Sequence, residues 1–165
     1  MKNPIIGITL DYENNGGYSK FPWYAIRENY LSCIYKFGAI PFPLFHQSSV
    51  NDYFLKTLDG LVITGGNFDI NPAFYSEPTD GSRNIKNNSR LFQIIKEDKI
   101  QVNSAHHQSV KKLGENFTAS AFASDQVIEA IEHTQHPWCL GIQWHPEFLI
   151  TDADIAIVKD FINHA

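Results

Sequence analysis

The first half of the chain alternates short apolar runs with segments of helical periodicity. Apolar runs without a helical period predict buried strands, whereas apolar residues three or four positions apart predict helices that pack by one face. On this basis we expect strands at residues 4–9, 40–45 and 59–64, separated by helices at residues 22–37 and 52–58. Strands that alternate with helices through short connections are typical of a parallel α/β sheet.

The second half has a different pattern. Short apolar runs broken by polar turns predict a hairpin-rich group of strands, at residues 99–110, 116–123, 127–132 and 138–144. Helical spacing returns at residues 152–163, with Asp152 and Asp154 near the helix start, where negative charge suits the helix dipole. The polar stretch at residues 80–90 is expected to be a mobile connection between the halves.

Length and composition fit one soluble domain over residues 1–165, because 43% of the residues are hydrophobic and 19% are charged. The net charge of -5 forms no acidic or basic block, so we expect neither nucleic acid nor a membrane surface as a partner. No apolar run approaches the roughly 18 residues of a spanning helix, and no secretory leader is recognisable. Two cysteines without a disulfide framework favour a cytoplasmic protein.

The stretch LGIQWHPEF at residues 140–148 contains the clearest candidate chemistry. His145 and Glu147 are two positions apart, so in an extended chain their side chains share one face, about 6.6 Å apart at the backbone. A carboxylate bonded to one imidazole nitrogen leaves the other nitrogen as a base for a nucleophile. By itself His-Pro-Glu is a weak signal, and a histidine at a strand end beside a solvated glutamate explains it more readily.

Four motifs in order along the chain change that interpretation: DGLVITGGNFDINPAFY, VNSAHHQSVKKLG, VIEAIEH and LGIQWHPE. Together they resemble the class I glutamine amidotransferase-like superfamily, and more narrowly its branch of γ-glutamyl-γ-aminobutyrate hydrolases, the peptidase C26 group. The resemblance covers nearly the whole chain. It implies a flavodoxin-like, three-layer α/β fold and a hydrolase that acts on γ-glutamyl amides.

The resemblance also implies roles for individual residues. His145 and Glu147 match the catalytic histidine and glutamate of the family. Gly65 and Gly66 match the glycines whose loop gives a backbone N–H to the oxyanion hole, a role that suits glycine because its backbone can approach the substrate closely. A family motif beside the active-site cleft is matched by Asn103, Ser104, His106, His107 and Gln108. These residues are a candidate wall of the substrate-binding site.

The nucleophile of the family has no counterpart in this chain. Family members have it as a cysteine on a Gly-x-Cys-x-Gly turn, whereas no cysteine lies between Gly66 and Asn103 here. We therefore expect an internal deletion at Arg90–Leu91 that removes several dozen residues, including a central strand, the nucleophile turn and the helix behind it. Loss of a central strand would expose strand edges and apolar faces.

Neither remaining cysteine is an evident substitute. Cys33 lies in the apolar stripe of the first predicted helix, where a small buried thiol is an ordinary occupant. Cys139 precedes His145 by six residues, which is about 20 Å along a strand, whereas a nucleophile and its base need about 3 Å. Ser104 lies in the right motif, but no sharp turn presents it.

A metal site is the other chemistry to weigh, since five of the seven histidines cluster between residues 106 and 145. Zinc needs three or four converging ligands. His133 and His136 fall in a predicted turn, and the side chains of His106 and His107 would point apart in an extended segment. We expect neither a bound metal nor another cofactor.

Three functional hypotheses follow. In the first, the chain is a pseudoenzyme, that is, an inactive derivative of a Cys-His-Glu γ-glutamyl hydrolase. We favour this hypothesis because loss of a nucleophile costs many orders of magnitude in rate. Alternatively, it is an active hydrolase with a substitute nucleophile or a metal-bound water. As a third alternative, it is a non-catalytic binding or interaction module. The ligand expected from the family is a small γ-glutamyl compound.

Overall fold

The computed structural model describes residues 2–65, 81–103 and 109–165. The chain divides into two compact units, one up to Phe68 together with Ala165, and one from Asp69 to His164. The first unit is a parallel α/β unit and the second is built on an antiparallel sheet. None of the helices in the described ranges is long and apolar enough to cross a bilayer.

The sheet of the first unit is parallel, as the alternation of strands and helices predicted. Its central strand, β1 (Ile5–Thr9), buries the side chains of Ile6 and Ile8 completely. A Cβ at Gly7 would overlap the side chains of Leu58 and Leu44, so these side chains pack as they do because residue 7 is glycine. The strand order is β4-β1-β5, with β4 at Ile40–Leu44 and β5 at Gly60–Val62.

The first predicted helix begins later than its periodicity indicated. Helix α1 spans Glu28–Lys36 and α2 spans Asn51–Thr57. Residues 23–25, predicted as helix, instead form β3 (Trp23–Ala25), which pairs antiparallel with β2 (Asp11–Glu13). The rings of Tyr12 and Tyr24, 5.1 Å apart between centroids, pack across this ribbon, and such cross-strand aromatic pairs favour strand over helix.

Strand β5 is a terminal strand of this sheet, with an apolar and accessible surface. Within the described residues it pairs with β1 alone. The side chains of Leu61 on β5 and Ile63 just after it are 45% and 77% exposed. Strands in parallel α/β sheets are ordinarily covered on both faces, so apolar exposure at this strand is unusual.

In the part of the second unit that the structure describes, five strands form a sheet in the order β10-β9-β8-β6-β7. The predicted hairpin is present as β8 (Phe117–Ala123) and β9 (Ile128–His133). Helices α3 (Arg90–Ile95) and α4 (Asp152–His164) contribute to one apolar core with the sheet. The other strands are β6 (Ser82–Ile85), β7 (Lys99–Gln101) and β10 (Leu140–Ile142), and the core includes Ile85, Leu91, Ile100, Ala121, Ala130, Trp144 and Ile157.

The prediction of a mobile connection at residues 80–90 is wrong for the residues of β6, which pairs with β7 on one side and β8 on the other. The charged residue of this strand, Arg83, can be buried because it is paired. Arg83 is fully buried with its Nε 3.0 Å from Oε2 of Glu129, which is also fully buried. Ser89 then caps α3 by accepting a hydrogen bond from the backbone N–H of Phe92 at 3.0 Å.

The Arg83–Glu129 ion pair yields a prediction for stability. Glu129→Ala leaves the buried guanidinium without this carboxylate, and we expect the free energy of unfolding to fall by about 3–5 kcal/mol. Urea denaturation followed by circular dichroism measures the change. Glu115→Ala, at an exposed position of the same unit, is the control and should change stability by no more than about 0.5 kcal/mol. Equal effects of the two substitutions would contradict the prediction.

Candidate functional site

The side chains of His145 and Glu147 are in direct contact, with imidazole Nδ1 2.8 Å from carboxylate Oε1. The Glu147 side chain is only 7% exposed and that of His145 is 19% exposed. Because an ionised carboxylate can only accept hydrogen bonds, Nδ1 has the shared proton and Nε2 of the neutral ring is the acceptor. No described residue hydrogen-bonds to Nε2, so this nitrogen is the one available as a base.

A 3₁₀ turn brings the pair together, whereas the sequence spacing assumed an extended strand. Strand β10 ends at Ile142, and residues Pro146–Phe148 form the turn. Proline suits its first position because the ring fixes φ and no N–H is needed there. Leu149, in the left-handed region with φ of 53°, ends the turn. The expected contact is therefore present, but a different backbone produces it.

The backbone of His145 is held by the side chain of Asn103. The Asn103 Nδ2 donates to the carbonyl oxygen of His145 at 3.2 Å, and the N–H of His145 donates to Asn103 Oδ1 at 3.2 Å. The ring of Phe148 packs edge-on against the imidazole, with centroids 5.8 Å apart. Contacts to its backbone, its Nδ1 and its ring thus all restrain His145.

The buried carboxylate of Asp154 closes the loop that contains the pair. Its Oδ1 accepts a hydrogen bond from the indole Nε1 of buried Trp144 at 3.2 Å. Its Oδ2 accepts from the backbone N–H groups of Ile150 and Thr151 at 3.1 and 2.9 Å. One side chain therefore ties together the two ends of the segment from residue 144 to residue 151.

Sequence reasoning missed this role and assigned Asp154 only to the helix dipole. A local signal was present, because Thr151 and Asp154 have the spacing of a capping box. In the structure the N–H of Asp154 donates to Thr151 Oγ1 at 3.2 Å, which completes the reciprocal pair of bonds. The bond from Trp144 could not be read locally, because it depends on the fold of the turn.

The other predicted site residues are only partly described. Gly65 belongs to the first unit and follows Thr64, whose N–H donates to Thr9 Oγ1 at 2.9 Å and so ties the ends of β1 and β5. Its assignment to an oxyanion hole stays a prediction. Gly66, Ser104, His106, His107 and Gln108 lie outside the described residues. Of the predicted site and motif residues, the structure brings together His145, Glu147 and Asn103.

The two cysteines lie in ordinary structural positions. Cys33 is buried in α1, and its Sγ is 3.3 Å from the carbonyl oxygen of Tyr30. Cys139 is half-buried just before β10, and its carbonyl accepts the N–H of His133 at 3.1 Å. Neither cysteine is on the sharp strand-to-helix turn that presents a nucleophile.

The described histidines form no metal site. In the described ranges, no group of three His, Cys, Asp or Glu side chains could hold a metal ion. Nδ1 of His133 instead accepts the backbone N–H groups of Gln135 and His136, at 3.2 and 3.0 Å. These bonds stabilise the turn between β9 and β10, so His133 has a structural role there.

Comparison with known proteins agrees with this architecture. The model of the peptidase C26 family matches residues 4–85 and 79–147. The chain belongs to the peptidase C26 family. A glutamine amidotransferase-like protein of Rickettsia prowazekii is 27% identical over 259 aligned positions, which cover 90% of this chain and 92% of that protein. The γ-glutamyl-γ-aminobutyrate hydrolase PuuD of Escherichia coli is 21% identical over 224 positions, covering 90% and 87% of the two chains.

The fold of this peptidase C26 member is also found in a solved structure. A protein from Thermoplasma acidophilum, described as a GMP synthase subunit, matches with a TM-score of 0.69 at 16% identity, over 99% of this chain and 95% of that chain. This likeness confirms the predicted α/β fold of the class I glutamine amidotransferases. The glutamine amidotransferase-like and γ-glutamyl hydrolase-like relationship is confirmed at the level of the family.

The position of Asp154 generates a prediction. Asp154→Ala leaves the N–H groups of Trp144, Ile150 and Thr151 without their acceptor, so we expect the free energy of unfolding to fall by about 2–4 kcal/mol. In a background with Trp23 and Trp138 replaced by Phe, the fluorescence of Trp144 should shift to the red. Asp152→Ala, exposed in the same helical turn, is the control and should cost less than about 1 kcal/mol. An unchanged emission in the folded Asp154→Ala protein would contradict the prediction.

Proposed function

We propose that this chain is a catalytically inactive derivative of a Cys-His-Glu γ-glutamyl amide hydrolase. The observation that carries the proposal is that the sequence contains only Cys33 and Cys139, neither of them on a nucleophile turn. His145 and Glu147 keep the contact of a base and its orienting carboxylate. A base without a nucleophile to deprotonate leaves the covalent step without an attacking atom.

The lengths of the alignments support the loss of an internal segment. Since 90% of 165 residues is about 148, roughly 111 of the 259 positions aligned with the Rickettsia protein have no residue of this chain opposite them. For the E. coli hydrolase the same subtraction, 224 minus about 148, leaves roughly 76 positions. Both numbers are large enough for a strand, a nucleophile turn and a helix.

The family match and the packing favour a junction upstream of Arg90–Leu91. The two matched segments overlap at residues 79–85, as expected if the chain passes there from one part of the family pattern to a later one. Arg90 and Leu91 lie in the first turn of α3, where both N–H groups donate to the Glu132 carboxylate on β9. Leu91 is fully buried. We therefore propose that the junction lies within residues 79–85, whereas the sequence motifs alone suggested Arg90–Leu91.

The exposed surface of β5 gives independent support. In the family that this chain resembles, the strand that leads to the nucleophile lies centrally in the parallel sheet. Leu61 and Ile63 have the apolar character of residues that a helix on the sheet face covers, yet both are exposed here. Loss of the central strand together with the helix behind it accounts for this surface, because it removes the pairing edge and the covering helix at once.

Turnover and covalent labelling test the proposal. The purified protein should neither hydrolyse a chromogenic γ-glutamyl amide nor gain the mass of a glutamine-like electrophile, because no thiolate is placed beside His145. The E. coli γ-glutamyl-γ-aminobutyrate hydrolase is the positive control under the same conditions. Turnover that is lost on His145→Ala would instead show that a substitute nucleophile works with this base.

Thermal denaturation with a ligand distinguishes the hypothesis of a binding module from that of an inert chain. A ligand that binds only the folded state raises its stability in proportion to the logarithm of ligand concentration. With γ-glutamyl-γ-aminobutyrate as the probe, an unchanged midpoint of unfolding supports an inert remnant. A concentration-dependent rise without turnover supports a protein that retains a γ-glutamyl site for binding.

A further inference from the structure

We propose that Asn103 is a positioning residue for the His145–Glu147 pair. Among the residues that the structure describes, its carboxamide bonds to both polar groups of the His145 backbone: Nδ2 donates to the carbonyl oxygen and Oδ1 accepts the N–H, each at 3.2 Å. A primary amide presents a donor and an acceptor side by side, so it can replace the peptide of a neighbouring strand. The bonds span 42 positions of sequence and join two of the family motifs.

His145 needs such a contact because the regular sheet ends just before it. The backbone hydrogen bonds that join this segment to β9 end with the one from the N–H of Gln143 to the carbonyl of Glu129, at 2.8 Å. The 3₁₀ turn begins only at Pro146, and His145 itself has φ of -112° and ψ of 79°, outside helix and strand. Asn103 thus holds a residue that belongs to neither β10 nor the turn.

The consequence of these bonds is the direction of the imidazole. Rotation about the His145 backbone would move its ring away from Oε1 of Glu147, and among the described residues the only other bond to its carbonyl is from the N–H of Phe148, a long 3.4 Å. With both backbone groups bound to Asn103, Nδ1 stays on Glu147 and Nε2 keeps one direction. The inference rests on the proposed function for the identity of the pair, but it does not require turnover.

Nuclear magnetic resonance of ¹⁵N-histidine-labelled protein tests this role, because two-bond ¹H–¹⁵N correlations distinguish the tautomers. In the unmodified protein we expect the neutral ring of His145, assigned by comparison with His145→Gln, to carry its proton on Nδ1. Asn103→Ala should shift the ring toward the Nε2-protonated form that free imidazole prefers. Exchange of the Nδ1 proton with water should rise by about tenfold, the factor expected for loss of one ordinary hydrogen bond.

Two further variants make the test specific. Asn103→Asp keeps an acceptor for the N–H of His145 but loses the donor to its carbonyl, so its effect should be intermediate. If Asn103→Ala does not fold, Asn103→Asp alone tests whether Asn103 orients the imidazole of His145. Asn84→Ala, at an exposed position of β6 in the same unit, is the matched control and should leave the signals of His145 unchanged.

Several results would overturn the inference. A folded Asn103→Ala protein with the tautomer and proton exchange of the unmodified chain would show that Asn103 is structural only. Absence of the Nδ1 proton from the unmodified protein would show that the pair is not formed in solution. Turnover would refute the proposed inactivity but would leave the effect of Asn103 on His145 intact, so the two failures are distinguishable.

Discussion

The geometry around His145 depends on the hydrogen bonds that the buried carboxylate of Asp154 accepts. Burying a charge costs several kcal/mol. Here the cost is offset because three N–H donors converge on the carboxylate, which also lies at the positive end of α4. Its two oxygens bond to residues on opposite sides of the 3₁₀ turn, so the turn cannot open without breaking charge-assisted bonds. The orientation of the pair is consequently a product of folding, independent of any substrate.

The elements that sequence predicted correctly are those whose burial follows the apolar pattern. The strands around Ile6 and Ile8 and the hairpin of β8 and β9 have apolar runs that match one face or both faces of a sheet. Strand β6 was missed because its residues include Ser82 and Arg83, and hydropathy cannot indicate that a charge is paired. The partner, Glu129, lies on another strand and becomes visible only after folding.

The residues of the candidate site also fall into those that the sequence could predict and those that it could not. His145 and Glu147 could be predicted because they are neighbours in a recognisable motif. The capping-box spacing of Thr151 and Asp154 was also present in the sequence, although its connection to Trp144 was not. The carboxamide bonds of Asn103 join segments 42 positions apart, and no local rule pairs an amide with the backbone of one particular distant residue. Contacts between remote segments are therefore the part that required coordinates.

The accessible apolar surface of β5 has a consequence for the life of the protein in a cell. Leu61 and Ile63 lie along a strand edge of the kind that molecular chaperones and proteases engage in incompletely folded chains. Because this surface is exposed in the folded protein, quality-control proteins would engage the folded chain as well as the nascent one, and the level of the protein in the cell would reflect that engagement.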